Sequence, residues 1–201
     1  MQPVEHKHIV VQGWRWILDC GNYNRQRELF HTEHSKPFDD RLVFVNHINR
    51  MRDQAIRIIE YDQWANTRVI AAVARAKEAP DRAIELLSHI FAVSSIWLSR
   101  AKREAEVAKR FDRYTVEECV VRNDALTTGW IQFLKSNADV NSIMKFQLLG
   151  KSSEMRVLDC VQHVGMHGTY HRGQIVALLK GHVDELPATD YVLFALAKPG
   201  Y

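Results

Sequence analysis

The sequence predicts an all-α protein, a four-helix bundle with a small β-hairpin placed before the fourth helix. Three observations carry that prediction. Four segments repeat apolar residues at helical spacing, so each has one stripe to bury against the others. Start and stop signals punctuate them at short intervals, notably Pro80, Thr115 with Glu118, and Gly181. The last segment carries His163, His167 and His171 at every fourth position, and bundles build ligand sites from inward side chains on facing helices.

Residues 1–50 precede this pattern and differ in texture. Gly21-Asn22-Tyr23-Asn24 and His34-Ser35-Lys36-Pro37 interrupt short apolar runs, and no period is sustained. A poorly ordered or loosely docked N-terminal extension is expected there, with Trp14, Trp16 and Phe44 available to anchor it. The compact domain is then expected over 51–201. Its first helix spans 51 to about 77, with Ile58, Ile59, Ala65, Val69, Ala72 and Val73 on the apolar stripe and Pro80 as the stop. Asp81 is the expected N-cap of a second helix that runs to about 107 and buries Leu86, Ile90, Val93 and Trp97. His89 falls on that stripe.

A polar link at 110–113 leads to Thr115, which forms a capping-box signature with Glu118 and opens a third helix over 116–136. Val120, Leu126, Trp130, Phe133 and Leu134 are its apolar positions. Residues 143–149 and 153–157 flank Gly150-Lys151 and read as the hairpin. The fourth helix begins near 156 and ends at Gly181, a suitable C′ residue. Gly165, Gly168 and Gly173 lie inside it, each costing about 1 kcal/mol relative to alanine. Such a helix must draw stability from tertiary contacts or ligation, and its bare positions leave room for a second helix to approach the ion. The tail from Pro187 to Leu196 reads as a short capped helix. Tyr61, Trp64, Trp97 and Trp130 are assigned to the core, while Tyr170 and Arg172 are expected to face away from the metal.

Composition excludes several function classes. Of 201 residues, 46% are hydrophobic and 25% charged, as in ordinary soluble domains. A net charge of +3, without a basic stripe carrying interleaved aromatics, does not point to nucleic acid. Arg15 breaks the apolar run at 9–18, so neither a signal peptide nor a membrane span is indicated. Cys20, Cys119 and Cys160 lack metal or redox spacing and read as free thiols in a reducing compartment, with the cytoplasm as the default location. No phosphate loop, nucleophile elbow or HExxH is present, and the Glu-x-x-His pairs of di-iron bundles are missing.

Residues four apart on a helix share a face, so two successive imidazoles of the fourth helix can reach a common ion. A straight helix does not aim all three at one point, and a further ligand is needed from a facing helix. His89 supplies it. His89, His167 and His171 would leave one coordination position open, the pattern of catalytic zinc, although imidazole also suits nickel, copper and iron. His163 is assigned to the second shell or site rim, with the alternative that it replaces His171 beside His167. Gln174, three residues beyond His171, could reach the pocket. The competing reading makes His89 a hydrogen-bonded core residue and the HxxxH pair surface polarity.

The stretch His167-Gly-Thr-Tyr-His171-Arg172-Gly173-Gln174 closely resembles the helix-four signature of the DinB/YfiT-like superfamily, the damage-inducible DinB family. Tyr61-Asp-Gln-Trp64-Ala65-Asn66 resembles its first helix, Leu87-Ser-His89-Ile followed by Ile96-Trp97-Leu-Ser-Arg100 its second, and Pro187-Ala-Thr189-Asp190-Tyr191 its tail. The resemblance spans about 51–197. It implies an up-down-down-up path, a divalent zinc or nickel ion on His89, His167 and His171, and a homodimer. Relatives of this kind include S-transferases and isomerases that use bacillithiol, mycothiol or glutathione. The function expected is a metal-dependent transferase joining a low-molecular-weight thiol, as cosubstrate, to a small electrophilic substrate. The alternatives are a metal-dependent hydrolase and a non-catalytic, metal-stabilised dimeric bundle.

Overall fold

The computed structural model describes residues 9–11, 14–16, 40–136 and 139–198, with side chains described from Asn46 onward apart from those of the two short N-terminal strands. The chain divides into two units, 1–39 and 40–201. In the first, β1 (Ile9–Val11) pairs antiparallel with β2 (Trp14–Trp16), Ile9 opposite Trp16. The turn signals at 21–24 and 34–37, Cys20, and the anchoring side chains of Trp14, Trp16 and Phe44 lie outside the described residues.

The second unit contains α1 (Asp40–Arg75), α2 (Asp81–Lys102), α3 (Val116–Ser136), the hairpin strands β3 (Ile143–Leu148) and β4 (Lys151–Arg156), α4 (Val157–Leu178) and the short α5 (Tyr191–Ala197). Helix α1 starts at Asp40 rather than at 51. No glycine or proline interrupts the chain between Pro37 and Pro80, so nothing stops the helix from propagating upstream of its regular apolar stripe. Pro80 occupies the N-cap position of α2, and Asp81, expected there, is the first helical residue. Its charge still favours the helix N-terminus.

Helix α2 ends at Lys102, short of the expected 107. Arg103 turns left-handed at φ 60°, and Glu104 N–H returns to Ser99 O at 2.9 Å, a Schellman closure. The capping box of α3 forms as read: Glu118 N–H donates to Thr115 Oγ1 and Thr115 N–H to Glu118 Oε2. Cys119, Asn123, Thr127, Trp130 and Leu134 make its buried stripe, while Val120 is half exposed. The hairpin turns on Leu149-Gly150, one residue earlier than expected. Both have positive φ, 50° and 75°, the requirement of a two-residue I′ turn.

Side-chain contacts set the path of the bundle. Ile58 meets Gly165, and Asp62 and Asn66 meet Arg172, so α1 and α4 run parallel. Gln63 and Thr67 bond α3 near its first half, while Ile59 and Trp130 share a core cluster deeper along, so α1 and α3 are antiparallel. Ser88 pairs with Tyr114 and Ser94 with Trp130, making α2 and α3 parallel. His89 lies against His171 and Trp97 against His163, making α2 and α4 antiparallel. The order is up-down-down-up.

Parallel neighbours cannot be joined by a tight turn. The segment 103–115 therefore climbs back along α2 from its C-terminal end toward its N-terminal end. On that route it passes the histidines.

The core consists of two apolar clusters. One gathers Ile59, Trp97, Trp130 and Val161, the other Val69, Leu86, Phe91 and Ile175. Between them lies a polar layer of Asp62, Asn66, Ser94, Thr127 and Arg172, all buried. Helix α5 seats Phe194 against Tyr61 and Trp64. Among the described residues no helix is long and apolar enough to cross a membrane.

Candidate metal centre

His89 sits mid-way along α2, and His167 and His171 occupy successive turns of the antiparallel α4. Their ring centroids lie 5.0 Å (His89–His167), 4.9 Å (His89–His171) and 4.5 Å (His167–His171) apart. One nitrogen from each falls within 4.8 Å of the others. Small rotations of χ angles close that triangle to the spacing that ligands about 2 Å from one ion require. The three partly buried histidines can therefore hold a divalent cation.

Hydrogen bonds to the far ring nitrogens aim the near ones. His89 Nδ1 donates to Arg110 O at 2.8 Å, and His171 Nδ1 donates to Gln174 Oε1 at 2.8 Å. Each bond selects the tautomer that leaves Nε2 with a free lone pair. Gln174 thus touches the side chain of a candidate ligand, as its spacing allowed. Phe111 stacks on the other face of His89, centroids 5.6 Å apart and planes 12° from parallel.

The local electrostatics favour neutral imidazoles. Burial pushes His167 down to about 3, helped by the neighbouring His171, His89 and His163 and by the charge of Arg110. His171 is also lowered, first by burial, with the Gln174 bond opposing. A neutral imidazole is the form that binds a cation. His163 stands apart from the triad: its ring is 5.6 Å from His167 and 5.2 Å from Trp97. It lines the approach to the site, and the triad forms with His171 rather than with His163.

The glycines of α4 serve a neighbour other than the one expected. A Cβ on Gly165 would lie 2.7 Å from Ile58 Cγ2, and one on Gly168 would strike Asp62 Oδ1 and lie 2.8 Å from Arg172 Nη1. Both glycines admit α1, on the face of α4 away from His167 and His171, rather than the helix that carries His89. Gly173 has open space around it.

Arg172, expected only to face away from the metal, turns toward α1 and has a structural role there. It is fully buried, with Nη1 bonded to Asp62 Oδ1 at 2.5 Å and to Asn66 Oδ1 at 2.8 Å, and Nη2 to Thr169 Oγ1 at 2.9 Å. Burial raises the Asp62 carboxyl above the usual carboxylate range, while the Arg172 guanidinium and the Asn66 amide oppose that. This cluster holds the rotational setting of α4 against α1, and with it the direction in which His167 and His171 point. The signal was present in the sequence: Asp62 and Asn66 stand four apart, on the buried face of a helix.

Fold and site define a class of protein: a four-helix bundle with a small hairpin, in which three histidines from two antiparallel helices can hold one divalent ion. The chain belongs to the DinB family, whose model matches residues 43–199. It is similar to the protein named Protein DinB from Bacillus subtilis (strain 168), 28% identical over 166 residues, covering 72% of this chain and 95% of the relative.

Proposed function

We propose that this protein is a metal-dependent S-transferase that joins a small thiol to a small electrophile, with zinc or nickel on His89, His167 and His171. One observation carries the reading: an open three-histidine set faces two clefts in which the described residues offer no reactive nucleophile. Cys119 and Cys160 are buried away from the clefts, and burial pushes both thiols up to about 12. On this reading the sulfur nucleophile belongs to a cosubstrate. A divalent ion in this setting favours the thiolate over the thiol near neutral pH.

The chain's own groups do the rest. The Arg110 carbonyl and the Gln174 amide hold His89 and His171 in the required tautomers. The 103–115 strap runs along one side of the site and stacks Phe111 on His89. In the overall reaction the thiol loses its proton, the sulfur bonds to an electrophilic carbon, and the displaced group departs with its electron pair. The protein is expected to act in the cytoplasm, as a homodimer, without nucleic-acid or membrane partners.

Metal-loaded protein and its His171→Ala variant, assayed against 1-chloro-2,4-dinitrobenzene and monobromobimane with cysteine or glutathione, test this. Conjugation and thiol-dependent changes in the spectrum of cobalt-substituted protein are expected for the wild type and not for the variant. Turnover without thiol would instead indicate a hydrolase. Absence of both conjugation and spectral change, with a large fall in Tm on chelation, would indicate a structural ion and overturn the proposal.

A further inference from the structure

We propose that the cleft between α2 and α4 is a binding site for a small organic anion with an apolar body, its carboxylate received by Lys109 and Arg110. The inference rests on the reading of the triad as a reaction centre, for which it names the substrate class.

Two clefts meet at His89. The first, about 420 Å³, is lined by Arg82, Glu85, Phe111 and Arg113, and its charges answer one another. Arg82 pairs with Glu85 at 3.1 Å, and Arg113 with Asp81 at 2.7 Å and Glu85 at 3.6 Å. It presents little net field to a ligand. The second, about 580 Å³, is walled by Val93, Ile96 and Trp97 on α2 and by His163 and His167 on α4.

At the mouth of this second cleft the charges do not cancel. Arg100 is consumed by Glu106 at 2.7 Å and by the Trp97 ring beneath it, 4.8 Å away. Lys109 and Arg110 form no ion pair among the described residues, although both line the cleft. The result is two uncompensated cations, an apolar aromatic wall and the candidate ligands of an ion in one concave site. A monoanion with an aliphatic or aromatic body satisfies all three. Two cations at the mouth of a cleft of this size suit a small molecule and are too few for a polyanion.

The strap carrying these cations is held by its backbone. Lys109 N–H donates to Asp112 Oδ2 at 2.8 Å, and Arg110 O accepts from His89. Side-chain substitutions therefore remove the charge while leaving His89 fixed.

The test uses 4-phenylbutyrate and its neutral isostere 4-phenylbutyramide as probes, titrated by calorimetry into full-length, metal-free protein, so that direct ligation of an ion plays no part. We expect the acid to bind about tenfold tighter than the amide, a preference that fades with salt and is erased in Lys109→Gln/Arg110→Gln. Equal binding of acid and amide, no binding of the acid, or an undiminished preference in the double variant would overturn the inference. Zinc content of the same preparations after reloading separates the two readings. Loss of zinc binding counts against the metal centre alone, while a missing charge preference counts against the cleft alone.

Discussion

Replacing Gly168 with alanine probes the contact that orients the helix carrying His167 and His171. The new Cβ would lie 2.8 Å from Arg172 Nη1 and 3.4 Å from Asp62 Cγ, and closer still to Asp62 Oδ1. Two effects compete. Alanine gains about 1 kcal/mol over glycine in a helix interior. Against this, separating a buried ion pair costs about 3–5 kcal/mol, and overpacking alone about 1–3 kcal/mol. Neither charged group has solvent to retreat to, since Arg172 is fully buried and Asp62 nearly so. The larger cost therefore applies, and the net loss should be about 2–4 kcal/mol, a fall in Tm of about 5–15 °C. Gly173→Ala is the internal control, because its Cβ would meet nothing within 4 Å. It should gain up to about 1 kcal/mol from propensity alone. Urea denaturation of the metal-free proteins, read by far-UV circular dichroism, measures both. If Gly168→Ala proves as stable as Gly173→Ala, the Asp62–Arg172 contact does not set the packing of α4 on α1.

Leu149 holds positive φ in the hairpin turn while 83% exposed, so Leu149→Asn should raise stability by about 1 kcal/mol in the same assay. Gln174→Ala should weaken zinc affinity by about 10- to 100-fold in competition with a chromophoric chelator, with the fold's circular dichroism unchanged. His167 has a folded pKa depressed to about 3, so its contribution to stability is complete above the unfolded value, about 6.5. As pH falls below that value only the unfolded chain takes up the proton. The unfolding free energy of the metal-free protein should then fall from pH 6.5 to 4.5, by less than about 1.4 kcal/mol per pH unit because the ring is only partly buried, and Tm should fall with it. His167→Gln should flatten that slope, and an unchanged slope would count against the buried neutral imidazole. Truncation to residues 40–201 should leave a cooperatively unfolding domain by calorimetry, since the two units divide at that point.

Much of the architecture was legible in the sequence because helical periodicity and capping chemistry are local. The capping box at Thr115 and Glu118 and the limits of α3 come directly from residues a few positions apart. The start of α1 was misplaced because an apolar stripe marks where a helix is buried, whereas the helix itself continues until a breaker ends it. The early stop of α2 has a similar cause. Val107 extends the apolar pattern, yet the left-handed Arg103 closes the helix first and leaves Val107 84% exposed.

By itself the sequence indicated the four helices, the hairpin and a set of candidate histidines, since i,i+4 spacing and an apolar stripe constrain which residues share a face. Spacing left His163 and His171 as alternatives beside His167, and only the family resemblance chose between them. Tertiary structure alone decided which neighbour each face meets. It gave Gly165 and Gly168 to α1, buried Arg172 on Asp62, sent the 103–115 strap past His89, and brought Lys109 and Arg110 to the mouth of a cleft. The reason is physical: a buried stripe has the same pattern whichever helix covers it. The partner of a buried charge is settled only when the helices dock and the cost of leaving that charge unpaired is met by one particular neighbour.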